Sequence, residues 1–217
     1  EVLFCSVQKV YSQLSSRRAK SLFNHAKERG QLSHSPYYNA VSATLCRDDI
    51  TPILHDLIHK TALPLASIER DFAADSTGFS VCSFGDYRTI KHGTSRYQKW
   101  LKAHIMSGVK TNIVTDVTIT DEHGADSPQF AKLVKQTANG FQIREVSADK
   151  AYSSRANHEV VADVGGVPYI PFRKNATGKM GGSFMWRKMY YMFKMNQGEF
   201  DEHYHKRSNV ESTIGAI

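Results

Sequence analysis

Twice in this chain a short run of strand-forming residues ends on an aspartate that opens a turn. Ile68-Glu-Arg-Asp-Phe72-Ala-Ala leads into Asp75-Ser-Thr-Gly78, and Ile143-Arg-Glu-Val146-Ser-Ala leads into Asp149-Lys-Ala-Tyr152. Runs of this length, closed by turn formers, read as strands. Strands that alternate with helices build α/β sheets, and such sheets place reactive groups where strands run out into loops. A fold that brought the two aspartates together would therefore gain a site for chemistry. Each also has a local reading: Asp75 as the cap of the turn at Ser76-Thr-Gly, and Asp149 as the cap of a helix starting near Ser153.

The surrounding pattern supports such a sheet. The first strand spans Ser67 to Asp75, with Gly78 to Phe84 as the second half of a hairpin-like unit. Trp100 to Ser107 and Asn112 to Thr120 flank Gly108-Val-Lys as a hairpin, with a helix from Arg96 to Ile105 as the competing reading. In the second of these strands Ile113, Thr115, Val117 and Ile119 alternate with Asp116 and Thr118, which puts Asp116 on a solvated face. Asp126-Ser-Pro128 caps a helix running to about Ala138, which ends at Asn139-Gly140. The strand ending at Asp149 precedes a helix from Ser153 to Val164 that stops at Gly165-Gly166. Val167 to Phe172 is the last strand, and its two prolines point to a sheet edge. A helix resumes at Ser183 and meets a break at Asn196-Gln-Gly198. Residues 2 to about 60 read as helical, with Gly30 ending a helix and Pro36 and Pro52 as punctuation. His55 and His59 stand one helical turn apart, without an evident third metal ligand. This order predicts a mixed five-stranded sheet with flanking helices, preceded by a helical segment.

A third acid lies near the end, in Tyr204-His-Lys-Arg207-Ser-Asn-Val-Glu211. Nothing there breaks a helix before Gly215. Tyr204, Arg207 and Glu211 follow at spacings of three and four, so they share one helical face. Val210, Ile214 and Ile217 fall on the other side. Alone, the stripe reads as an exposed charged face, with Arg207 paired to Asp201 or Glu202, or to Glu211 one turn on. Glu145, Glu199 and Glu202 lack the stripe and are poorer candidates for a third acid.

Together the three stretches resemble the catalytic domain of a DDE transposase from a bacterial insertion sequence. One branch of that family carries Tyr, two residues, Arg, three residues, Glu, six residues, Lys. Tyr204, Arg207 and Glu211 match it, and the chain stops at Ile217, one residue before the expected lysine. The similarity runs from about Ser67 to Ile217. It implies a ribonuclease H-like fold over residues 63–217, with residues 1–62 as a helical N-terminal segment that contacts DNA or acts as a scaffold. It implies a catalytic metal triad of Asp75, Asp149 and Glu211, with Mg²⁺ as cofactor and Mn²⁺ as its substitute. It also implies cleavage of transposon ends followed by strand transfer, with double-stranded DNA as partner and a homodimer forming on it. Tyr204 and Arg207 would contact phosphates, and Lys150, Arg173 and Lys174 would extend a basic track. The implied setting is the bacterial cytoplasm, at the nucleoid. Another ribonuclease H-like nuclease, or a DNA-binding transposase remnant without turnover, would share parts of this pattern.

Charge is consistent with a polyanionic partner without selecting one: 28 Lys and Arg stand against 21 Asp and Glu, a formal net charge of +7. With 41% hydrophobic residues the composition is that of a globular protein. No apolar run is long enough to span a bilayer, and the start carries no signal-peptide pattern. Cys5, Cys46 and Cys82 are too far apart for a zinc or redox motif, so reduced thiols are expected. The start at Glu1 and the unfinished signature at Ile217 predict a fragment of a longer protein.

Overall fold

The computed structural model describes residues 1–81 and 99–216. The polar sequence 86–98, with Arg88, Lys91 and Arg96, lies outside the described residues, together with Cys82 and Ile217. The chain forms two compact units, Glu1–Asp56 and Leu57–Ile217. No helix among the described residues is long and apolar enough to cross a membrane.

The first unit is helical. It contains α1 (Val2–Tyr11), α2 (Ser16–Glu28), α3 (Tyr38–Leu45) and the start of α4 (Ile50–Ala62). Cys5, Ala19, Phe23, Ala26, Leu32 and Val41 make its core. Lys20 on α2 is used structurally: its ammonium donates to the Ser35 hydroxyl at 2.7 Å and to two backbone carbonyls.

The second unit is built on a five-stranded sheet of order β3-β2-β1-β4-β5. The strands are β1 (Asp71–Val81), β2 (Lys99–Gly108), β3 (Val114–Asp121), β4 (Glu145–Ala148) and β5 (Val167–Tyr169). The first three pair antiparallel, whereas β4 lies parallel to β1 and β5 parallel to β4. Helix α5 (Asp126–Ala138) joins β3 to β4, and α6 (Arg155–Asp163) joins β4 to β5. Helices α7 (Phe184–Met195), α8 (Gln197–Tyr204) and α9 (Ser208–Gly215) follow. This is the expected mixed sheet with flanking helices, with β5 at the expected edge. Strand, not helix, forms from Lys99 onward, which decides the ambiguity around Arg96–Ile105 for the described residues.

Side chains alternate along a strand, so each face of the sheet has its own set. Phe72, Ala74, Val146 and Ala148 pack with Phe130, Leu133, Val134 and Val161 of α5 and α6 into the main core. Asp71, Ala73 and Asp75 fall on the other face of β1. In register beside them on β4 come Glu145, Ser147 and then Asp149. The segment from α8 to α9 lies over this second face. Ala73 and Val210 are both fully buried there.

Four local expectations are corrected. Asp75-Ser-Thr-Gly78 is not a turn, because β1 runs through it. Ten consecutive pairs with β2, from Phe72↔Gly108 to Val81↔Lys99, satisfy the backbone better than a local turn would. Asp116 is buried at 3% exposure rather than solvated. Thr115 and Thr118 are buried too, because β3 has neighbours on both faces at those positions. Asp126 does not cap α5, whose N-cap is Ala125. Its carboxylate faces β2 instead, 2.7 Å from Lys102 Nζ and 3.2 Å from His104 Nδ1. The terminal helix is not continuous either: a 3₁₀ turn at His205–Arg207 separates α8 from α9.

Candidate active site

The topology alone brings the two aspartates together. The last parallel pair between β1 and β4 is Ala74↔Ala148, and the next residue on each strand is Asp75 and Asp149. Neighbouring strands lie about 4.8 Å apart. Asp75 sits inside a long strand, whereas Asp149 follows the end of a short one. Asp149 also caps the 3₁₀ turn Lys150–Tyr152, accepting from the Lys150 N–H at 2.7 Å. Asp149 thus caps this turn rather than the helix that follows, whose N-cap is Ser154, accepting from the Asn157 N–H at 3.1 Å. Tyr152 closes the motif by burying its ring against Phe130, with centroids 5.5 Å apart.

Glu211 reaches Asp75 through Arg207. The Arg207 guanidinium donates from Nη1 to Asp75 Oδ2 at 2.6 Å and from Nη2 to Glu211 Oε1 at 2.8 Å. Arg207 is therefore not paired with Asp201 or Glu202. Burial pushes the Asp75 carboxyl above its usual range, against the Ser76 N–H and Arg207, with the like charges of Asp149 and Glu211 adding to the rise. Tyr204 stands beside the same group. Burial raises its phenol, and Asp149 and Asp75 act in the same direction against Arg207.

Two sets of contacts hold this segment in place, and the sequence reading missed both. Lys206 Nζ lies 3.2 Å from Asp71 Oδ2 and donates as well to Glu145, which also bonds His203 Nδ1. Arg144 Nε completes the group with a 2.7 Å bond to Asp71 Oδ1. Burial alone would raise the Asp71 carboxyl, but its bonds to Arg144 and Lys206 outweigh this and hold it low. On the far side Asn209 Nδ2 donates to the Val109 carbonyl at 2.7 Å. That turn is fixed by buried Glu69, which accepts the Lys110 and Thr111 N–H groups. Glu69 passes so close to Gly108 that a Cβ there would lie 1.8 Å from its Oε2. The available signal was the four-residue spacing of Asp71 from Asp75 and of Glu145 from Asp149, which puts each pair on one strand face.

Residues 66–217 match the family described as Transposase DDE domain. The chain belongs to that family. No solved structure matches it. The match covers the whole sheet and the C-terminal helices, and it agrees with the extent of the resemblance carried by Asp75, Asp149 and Glu211. The fold is thus the ribonuclease H-like fold of a transposase DDE domain, a family that works on DNA and generally uses divalent metal.

The donor set suits such a cation. Three carboxylates supply hard oxygen ligands, the kind Mg²⁺ and Mn²⁺ take. Two of them already hold a cationic group between them. Among the described residues, however, no three His, Cys, Asp or Glu side chains are gathered closely enough to hold one metal ion. Asp75 and Glu211 each bond a different nitrogen of the guanidinium.

The expected basic track is partly occupied. Arg173 donates to the Ala151 carbonyl at 3.3 Å, which brings it beside the turn that follows Asp149. Lys150 and Lys174 are exposed. Arg155 lies over the Trp186 ring, 5.0 Å from its centroid, and donates to the Lys179 carbonyl.

Proposed function

We propose that this chain cleaves transposon ends and transfers the freed strand, as a bacterial insertion-sequence transposase of the branch carrying the Tyr204, Arg207 and Glu211 signature. The observation that carries the reading is the pair of bonds from Arg207 to Asp75 and Glu211, with Asp149 in register beside Asp75. Two of the acids bond one cation, and the third follows the strand beside the first. Asp75, Asp149 and Glu211 are the residues that would hold Mg²⁺, with Mn²⁺ in its place as a substitute. When bound, the metal activates the attacking water or 3′-hydroxyl and stabilises the leaving oxygen.

The rest is the work of the chain's own side chains. Arg207 offers a planar fork that matches a phosphate, and Tyr204 lies beside it with one hydroxyl. Lys150, Arg173 and Lys174 carry the positive surface along the backbone of bound double-stranded DNA. The Lys206, His203, Glu145 and Asp71 contacts hold the glutamate segment against the sheet while DNA is engaged. The helical N-terminal residues add DNA contacts or a scaffold, and a homodimer brings two ends together at the nucleoid.

The experiment is cleavage of a duplex carrying the transposon end, with and without Mg²⁺. Nicking that needs the metal and disappears in Asp75→Ala, Asp149→Ala and Glu211→Ala supports the reading. DNA binding without cleavage would instead mark a non-catalytic remnant, and cleavage indifferent to the end sequence would mark a general nuclease.

A further inference from the structure

Arg207 faces two demands that compete. Nη1 donates to Asp75 at 2.6 Å and Nη2 to Glu211 at 2.8 Å, so a phosphate brought to this guanidinium meets the negative charge of both carboxylates. The Asp75 side chain is 19% exposed and that of Glu211 59%, so Asp75 is the acid that loses more when it is left without a cation. A divalent cation at these carboxylates would supply that charge and remove the reason for Arg207 to stay.

The backbone around Arg207 allows the side chain to move alone. Lys206 is tied to Glu145 and Asp71, Asn209 to the Val109 carbonyl, and Val210 is fully buried. These anchors flank Arg207 on both sides. The guanidinium ends a long flexible stem, so rotation of side-chain torsions is enough to carry it from the acids towards the surface.

We propose that Arg207 is an exchangeable counter-ion: it neutralises Asp75 and Glu211 while no divalent cation is held there, and turns to a DNA phosphate when one is. This rests on the reading of the three acids as a metal site, and adds a linkage between that site and the DNA backbone. Linkage is reciprocal, so each ligand must tighten the other by the same factor. The protein would then acquire its metal chiefly on DNA, which limits cleavage chemistry away from a substrate.

The test uses Mn²⁺ as the metal and a short duplex of arbitrary sequence as the phosphate source. Mn²⁺ affinity is read from the free-ion electron paramagnetic resonance signal with and without DNA. DNA affinity is read by fluorescence anisotropy with and without Mn²⁺, at fixed ionic strength. In the wild type each ligand should tighten the other by about tenfold, within the range typical of coupled sites. Arg207→Gln should bind Mn²⁺ several-fold more tightly than wild type without DNA, and its coupling should fall to about one. Arg207→Lys keeps the charge and should keep the weaker DNA-free Mn²⁺ binding. Lys188→Gln makes the same change in net charge at an exposed position and should leave the coupling in place. An Arg207→Gln protein that binds Mn²⁺ no more tightly than wild type overturns the exchange, as does one that retains the coupling. So does an Arg207→Lys protein that behaves like Arg207→Gln. A wild type that binds Mn²⁺ without any coupling to DNA overturns the exchange and leaves the metal site standing. A wild type that binds no Mn²⁺ under either condition overturns both.

Discussion

Lys206 Nζ lies 3.2 Å from Asp71 Oδ2, on the same strand face as Asp75 and four residues before it. The residue after Lys206 is Arg207, which reaches Asp75 itself. Two consecutive cations of the C-terminal segment thus grip two acids of one strand, and this sets where Glu211 stands. Changing Lys206 to Met should take the ammonium from buried Glu145, which keeps His203 as a partner, and loosen the segment. Breaking such a pair typically costs about 3 kcal/mol. Denaturant unfolding should show that loss. Hydrogen exchange should show it concentrated in residues 203–214, with the sheet core unaffected.

Asp75→Ala, Asp149→Ala and Glu211→Ala should each abolish Mg²⁺-dependent cleavage, and combining two of them should add little, because ligands of one site act as a unit. Metal-free DNA binding should survive in all three. It should tighten in Asp75→Ala, which removes a negative charge and frees one arm of Arg207. Cleavage by the Glu211 variant at the wild-type rate would move the search for a third acid to Glu202 or Glu199.

Arg207→Ala should differ from these by weakening DNA binding in the presence of metal. Each lost phosphate contact should reduce the slope of log affinity against log salt by about 0.9 on duplex DNA. Tyr204→Phe should be milder, since it keeps the ring packed near Phe200 and loses one hydroxyl. Anisotropy titrations over a range of salt separate the two, and an unchanged slope in Arg207→Ala would refute the phosphate contact.

Acid should destabilise the fold through His158. Its ring is fully buried, 5.0 Å from Trp186 and 5.2 Å from Phe172, with Nδ1–H donating to the Ser154 carbonyl at 2.8 Å. Burial lowers its pKa from 6.5 to about 4. In that interval the unfolded chain binds the proton and the folded chain does not, so stability falls as pH drops from 6.5 towards 4. The loss should reach on the order of 3 kcal/mol at the acid end. Thermal unfolding across this range should show it, and His158→Gln should flatten the dependence.

Much of this protein was legible from local pattern. The order of strands and helices follows from periodicity and turn formers, and β5 lies at the edge that Pro168 and Pro171 predicted. Asp75, Asp149 and Glu211 stood out by motif, without any indication of how they met. Only the tertiary structure decided that Asp75-Ser-Thr-Gly78 continues as strand, because the partner that overrides its turn preference, β2, is distant in sequence. Only the parallel register of β1 and β4 makes Asp75 and Asp149 neighbours. The helical stripe was correct in its i,i+4 bond between Arg207 and Glu211, yet a 3₁₀ turn interrupts the helix, since packing on the sheet sets the path there. The buried roles of Asp71, Glu145 and Asp116 were illegible for the same reason: a charge reads as solvent-facing until the element that covers it is known. Local sequence determines which elements form, whereas long-range pairing determines which charges face one another.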